Sequence, residues 1–145
     1  MKIQSKEYLD RKLVKNQDLN HHLTLFAGFG LQYLLESAYL TVVESSKIPQ
    51  ENLRFIHCSE MSFKKSILLG DIINYKSKIV SVGGTSLTVY VSMFVHDVLC
   101  GDGFLTFVNM KDGKSFPHEL ELELLTNEDK KLNEKAIQLK NNTTK

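Results

Sequence analysis

Residues 20–43, "NHHLTLFAGFGLQYLLESAYLTVV", decide how this chain is read. Leu23 to Val43 is a run of 21 residues with one formal charge, Glu36. That is long enough to span a bilayer. Gln32, Glu36, two tyrosines and two glycines argue against a span, because a carboxylate at mid-membrane costs about 2.5–3.5 kcal/mol. A buried core helix is the better reading. Leu31, Leu34, Leu35, Ala38 and Val42 share one face at 3.6-residue spacing, and Tyr33, Leu40 and Val43 make the opposite side apolar too. The helix is expected to start between Thr24 and Ala27 with Thr24 as N-cap, and to fade in "ESSKIPQEN".

Beyond the helix the period changes to two. Arg54–Phe63 and Ile72–Val82 read as strands, separated by a turn at "LLGD". Ser86–Val95 alternates most clearly: Leu87, Val89, Val91, Met93 and Val95 against Ser86, Thr88, Tyr90, Ser92 and Phe94. "VGGTS" and "CGDG" are expected turns, and Gly103–Met110 a further strand stopped by "KDGK". Residues 5–17 supply one more strand. Short turns between consecutive strands make the neighbours antiparallel. Residues 1–125 form one α+β domain, followed by a polar helix and tail over 126–145 with a frayed "NNTTK" end. One helix that is apolar nearly all round needs a sheet wrapped about it. Four or five strands cover only part of it, so a second copy is the natural way to bury the rest.

The bulk numbers exclude several classes. At 145 residues and a formal net charge of +1, neither nucleic acid nor an anionic membrane is an expected partner. The charged start, MKIQSKEYLDRK, has no apolar core of a secretory signal. Cys58 and Cys100 stand in no metal-binding spacing and read as reduced thiols, which points to the cytoplasm. No phosphate-loop or dinucleotide motif is present.

"NHHLTLFAG" resembles the N-H-x-G-T-[IL]-F-G-G signature of hotdog-fold acyl-CoA thioesterases. "FKKSILLGDIINYKSKIVSVGGTSLTVYV" is similar to that family's F-x-x-P-[IV]-x-x-G-D strand motif and its G-[RT]-[ST]-S-[IL] turn. "DGFLTFVNMKDGKSFPH" looks like its last strand. The resemblance covers residues 8–118. The sequence departs from the pattern at Leu23 and Ala27, where the family has glycine, and at Ser66, where it has proline. Thr24 stands where many relatives have Asp or Asn. Leu35 holds the position of their helix acid, leaving Glu36 one residue later.

The resemblance implies a hotdog fold, a homodimer that could assemble further into tetramers or hexamers, and hydrolysis of an acyl-CoA without a cofactor. Hydrolysis requires a polarised carbonyl and a directed water. A helix N-terminus offers free N–H groups for the developing oxyanion. Gly28, with Ala27 beside it, would let the substrate approach them closely. Glu36, if buried, is a possible general base. Asn20 and Thr24 would position the water, and His22 and Phe26 would line the mouth. Thr24 has an alternative reading as a plain cap. His21 and His22 lack the partners of a zinc site, so no metal is expected. Lys64, Lys65 and the turn Gly83-Gly84-Thr85-Ser86 are candidates for the coenzyme A nucleotide, as point charges and as exposed N–H groups. A hydroxyacyl-thioester dehydratase using His22 with Glu36, and a non-catalytic acyl-thioester binding protein, are the rival readings.

Overall fold

The computed structural model describes residues 1–143. In chain order the elements are β1 (Lys2–Gln4), β2 (Tyr8–Leu13), α1 (Ala27–Ser46), β3 (Leu53–Phe63), β4 (Ile72–Val82), β5 (Ser86–Val95), β6 (Val98–Lys111), β7 (Lys114–Ser115), β8 (Glu121–Glu123) and α2 (Asn127–Thr143). The main sheet has the order β2-β4-β5-β6-β3, with every neighbour antiparallel and β7 folded back on β6. β1 and β8, which the sequence reading lacks, pair in parallel as a separate two-stranded ribbon.

α1 lies across one face of the sheet. Leu34, Ala38 and Val42 are fully buried in a core with Ile73, Tyr75, Ile79, Leu87, Val89, Val91, Met93, Leu105 and Phe107. The inward residues of β5 are those that the period-two pattern assigns. α2 packs on the opposite face, where Ala136 meets Val80 and Phe104. The C-terminal helix runs on through Asn141 to Thr143 rather than fraying there, while residues 144–145 of "NNTTK" lie outside the described residues.

Two expectations are corrected. Thr24 does not cap α1. The helix starts after Phe26, whose backbone is extended, and no side chain caps it. The preceding residues are pulled into sheet-like pairing instead: Leu25 N–H donates to Ile67 O at 2.7 Å, and Thr24 bridges to Leu68. Second, "CGDG" is not a turn but the middle of β6. The turn is at His96–Asp97, both left-handed at φ 48° and 62°. The glycines serve close approach, since a Cβ on Gly101 would stand 2.6 Å from Ser62 O and one on Gly103 would stand 2.9 Å from Met61 Sδ.

As the shortage of strands implies, α1 is not covered all round within one chain. Its sheet-facing stripe includes the buried Gly30, Ser37, Thr41 and Ser46, while Leu31 and Leu40 are exposed. Small hydroxyl residues can be buried here because they find acceptors at hand. Thr41 Oγ1 donates to Ser37 O at 3.0 Å, and Ser46 Oγ to Val42 O at 2.6 Å. Leu35, Tyr39 and Leu40 border Phe55 of the edge strand β3.

Candidate active site

Asn20 organises the loop before α1. Its Oδ1 accepts from the N–H groups of His22 (2.9 Å) and Thr24 (3.2 Å), and its Nδ2 donates to Thr24 Oγ1 at 3.0 Å. Backbone bonds Asn20 N–H to Thr24 O (2.8 Å) and Leu23 N–H to Asn20 O (3.1 Å) close the same turn. Leu23, at the family's glycine position, adopts φ 64°. A left-handed backbone is thus adopted here without the residue that favours it. His22 is exposed and its ring lies 3.9 Å from that of His21.

The loop delivers the chain to an uncapped helix end. Phe29 and Gly30 N–H both bond Phe26 O, whereas Ala27 and Gly28 N–H have no partner among the described residues. Both residues are exposed. These are the orphan donors of a helix N-terminus, with the positive end of the dipole behind them. Phe26 folds its ring over Gly28, where a Cβ would collide with it. A cleft of about 260 Å³ opens beside them, lined by Thr24, Leu25, Ala27, Phe63, Lys64 and Lys65. The backbones of both lysines are fixed through Cys100 O, at 2.7 Å and 3.3 Å.

Asp18 is the residue that sequence reasoning missed. It is 4% exposed, its Oδ2 accepts from Lys15 N–H (2.9 Å), and its backbone carbonyl accepts from Phe26 N–H (2.8 Å). Tyr33 O–H donates to its Oδ1 at 3.2 Å. Burial, then the Asp18 charge, push the Tyr33 phenol upward and keep it a donor. Asp18 thus pins the start of α1 from below. A lone acid in "KNQDLN" reads as a surface loop, and nothing in its spacing shows otherwise.

Two sets of expected site residues are not brought together within one chain. Glu36 is exposed rather than buried and accepts from Gln32 Nε2 at 3.3 Å. It lies eight residues along α1 from Gly28, about 12 Å at 1.5 Å per residue. There it borders an apolar groove of about 510 Å³ with Leu35, Tyr39, Leu40, Phe55 and Phe107. Gly83, Gly84, Thr85 and Ser86 form the β4–β5 hairpin turn, where Asn109 N–H of β6 donates to Thr85 O, whereas Lys64 and Lys65 follow β3 and are held by Cys100 O near the start of β6. The stretch of β6 from Cys100 to Asn109 separates them, about 30 Å. Burial pushes the thiols of Cys58 and Cys100 up, which disfavours the thiolate form. Among the described residues no group of three or more His, Cys, Asp or Glu side chains could hold a metal ion, and no helix is long and apolar enough to cross a membrane.

This curled antiparallel sheet around one long helix is the hotdog fold. No family model matches the sequence, and a search of curated proteins finds no match. Solved structures do match over nearly the whole chain. An acyl-CoA hydrolase from Staphylococcus aureus, solved with butyryl coenzyme A, coenzyme A and coenzyme A disulfide, superposes with a TM-score of 0.87 at 24% identity. The match covers 99% of this chain and 91% of that one. An apo-hexameric acyl-CoA thioesterase gives 0.84 at 29% identity, over 94% and 89%. An acyl-CoA hydrolase from Bacillus cereus gives 0.87 at 21% identity, over 97% and 88%.

Proposed function

We propose that the chain is an acyl-CoA thioesterase, releasing free acid and coenzyme A, and that it acts as a homodimer in the cytoplasm. The observation that carries this reading is the pair of unpartnered Ala27 and Gly28 N–H groups opening on a cleft flanked by Lys64 and Lys65, in a fold shared with acyl-CoA hydrolases. The thioester oxygen would sit on those amides, which stabilise it as it gains charge. Water would add to the carbonyl carbon and give its proton to a base. The C–S bond would then break, and the sulfur would leave as the coenzyme thiol.

Glu36 is our base. It is 12 Å or so from the amides of its own helix, so it serves the site across a two-fold axis, with the α1 helices of two protomers antiparallel and the β3 edges adjacent. Two features support that arrangement: among the described residues β3 has only β6 as a partner, and the groove between β3 and α1 is apolar, with Leu35, Tyr39 and Leu40 facing Phe55 and Phe107. Asn20 and Thr24 are engaged with each other, so their part is to hold the loop and present one hydroxyl to the water. Lys64 and Lys65 take the coenzyme phosphates. The Gly83–Ser86 turn is too distant to share them within one protomer.

A non-catalytic acyl-thioester binding protein is the second reading, favoured by Leu35 at the acid position and by the solvent exposure of Glu36. Free-thiol release from short, long and aromatic acyl-CoAs separates the two. Turnover above the spontaneous rate is expected for at least one class. Saturable binding without thiol release would establish the binding protein, and hydration of an enoyl-CoA would point to the dehydratase.

A further inference from the structure

A second groove lies on the other face of the sheet, away from α1. It is enclosed by the C-terminal half of α2 and the outward residues of β3, β5 and β6. Ile56, Phe104, Ala136 and Leu139 give it an apolar floor and walls. Its polar lining is the His57 imidazole and the hydroxyls of Ser59, Ser86, Thr88 and Thr106, the last two with oxygens 3.0 Å apart. Lys140 stands at the mouth with Nζ 3.5 Å from Ser86 Oγ. None of its lining residues is acidic. Gly83 makes the placement of Lys140 possible, since a Cβ there would lie 2.7 Å from Nζ and 2.6 Å from Ser86 Oγ. Gly83 has no left-handed φ, so the turn geometry does not require glycine, and a Cβ there would push the side-chain tips of Lys140 and Ser86 aside.

We propose that this groove is a separate binding site for a short-chain carboxylate. Its apolar body would hold the chain, and the Lys140 ammonium with the Ser86 hydroxyl would hold the carboxylate. The charge argument is direct: a cation at the mouth of an apolar groove with no anion of its own selects an amphipathic anion over a neutral chain. At about 30 Å³ per water-sized group, the volume of about 170 Å³ accommodates about six heavy atoms. Hexanoate is the matching probe: its six carbons fill that volume, and its two carboxylate oxygens stand at the mouth beside Lys140. The inference does not depend on turnover at α1, so a catalytically silent protein that binds hexanoate here would sink the thioesterase reading and leave this one standing.

The test is an amide-shift NMR titration of the full chain with hexanoate and, separately, hexanol. Hexanoate is expected to shift Ile56, Thr88 and Thr106 and to bind more tightly than hexanol. Lys140→Met should weaken hexanoate about tenfold, the loss of one charge-assisted contact, and leave hexanol unchanged. Gly83→Ala, which crowds Lys140 without straining the backbone, should weaken it in the same direction. Equal affinity for the alcohol, or shifts confined to Ala27 and Gly28, overturns the proposal. Displacement of hexanoate from the groove by coenzyme A also overturns it, by making the groove part of the coenzyme's path.

Discussion

Leu23 and Asn20 show how two residues set the geometry of a helix entrance. A leucine at φ 64° bears the roughly 1–2 kcal/mol cost of the left-handed region, and its side chain is 71% exposed, so packing returns little. Leu23→Gly is therefore expected to raise stability by about 0.5–1 kcal/mol, read as a higher urea midpoint at constant slope. A lower midpoint would mean that the leucine makes contacts in an assembly that outweigh the strain. Asn20→Ala removes the acceptor for two backbone N–H groups and is expected to cost about 1–2 kcal/mol. Asn20 as a loop organiser was legible in the sequence only as a motif match. That its amide is engaged by His22 and Thr24, and so is not free to hold water by itself, follows from three-dimensional bonding that spacing does not encode.

At the scale of elements, α2 is fastened by one buried ion pair. Lys78 Nζ donates to Asp129 Oδ1 at 2.6 Å, with side-chain exposures of 14% and 2%. Asp129 Oδ2 also accepts from Leu125 and Thr126 N–H. Burial by itself would raise the Asp129 carboxyl, but Lys78 and these amides outweigh it and hold the group below the ordinary carboxylate range. A depressed folded-state value stabilises the fold fully above the unfolded value of about 3.9, and the contribution disappears as pH falls through the lowered one. Asp129→Ala should cost about 3–5 kcal/mol, because it leaves Lys78 buried without its partner, and should flatten the acid limb of the stability curve. An acid limb unchanged in the mutant would refute this assignment. The long elements were legible because their periodicity is strong. β4 and β5 were read to the residue, and the apolar α1 was read as one element with its two ends given only as short ranges. The His96–Asp97 turn was not, since two polar residues with left-handed backbone carry no glycine signal, while the nearby glycines are required by strand approach. α2 was legible as a helix, but its anchor, a Lys and an Asp 51 positions apart, was not.

For the whole molecule, the unpaired β3 edge and the apolar groove between α1 and β3 predict a two-fold assembly. Phe55, 44% exposed and packed 5.8 Å from Phe107 between ring centroids, sits in that groove. Phe55→Lys should yield folded monomers by analytical ultracentrifugation and abolish turnover, since each site would lose its partner's Glu36. A monomeric wild type, or an active monomeric variant, would contradict the shared site. The sequence pointed to a second copy from the shortage of strands around an apolar helix, and to Glu36 by elimination. It made burial the condition for Glu36 to act as base, and one chain by itself leaves Glu36 exposed. The most direct test of the account is steady-state thiol release from acyl-CoA by wild type and Glu36→Gln, with both checked for fold and assembly. We expect the wild type to turn over and the mutant to lose at least about 100-fold in kcat, as for a general base, with KM little changed. Equal kcat in the two proteins would remove Glu36 from the chemistry, and no release by the wild type on any acyl-CoA class would contradict the hydrolase reading itself.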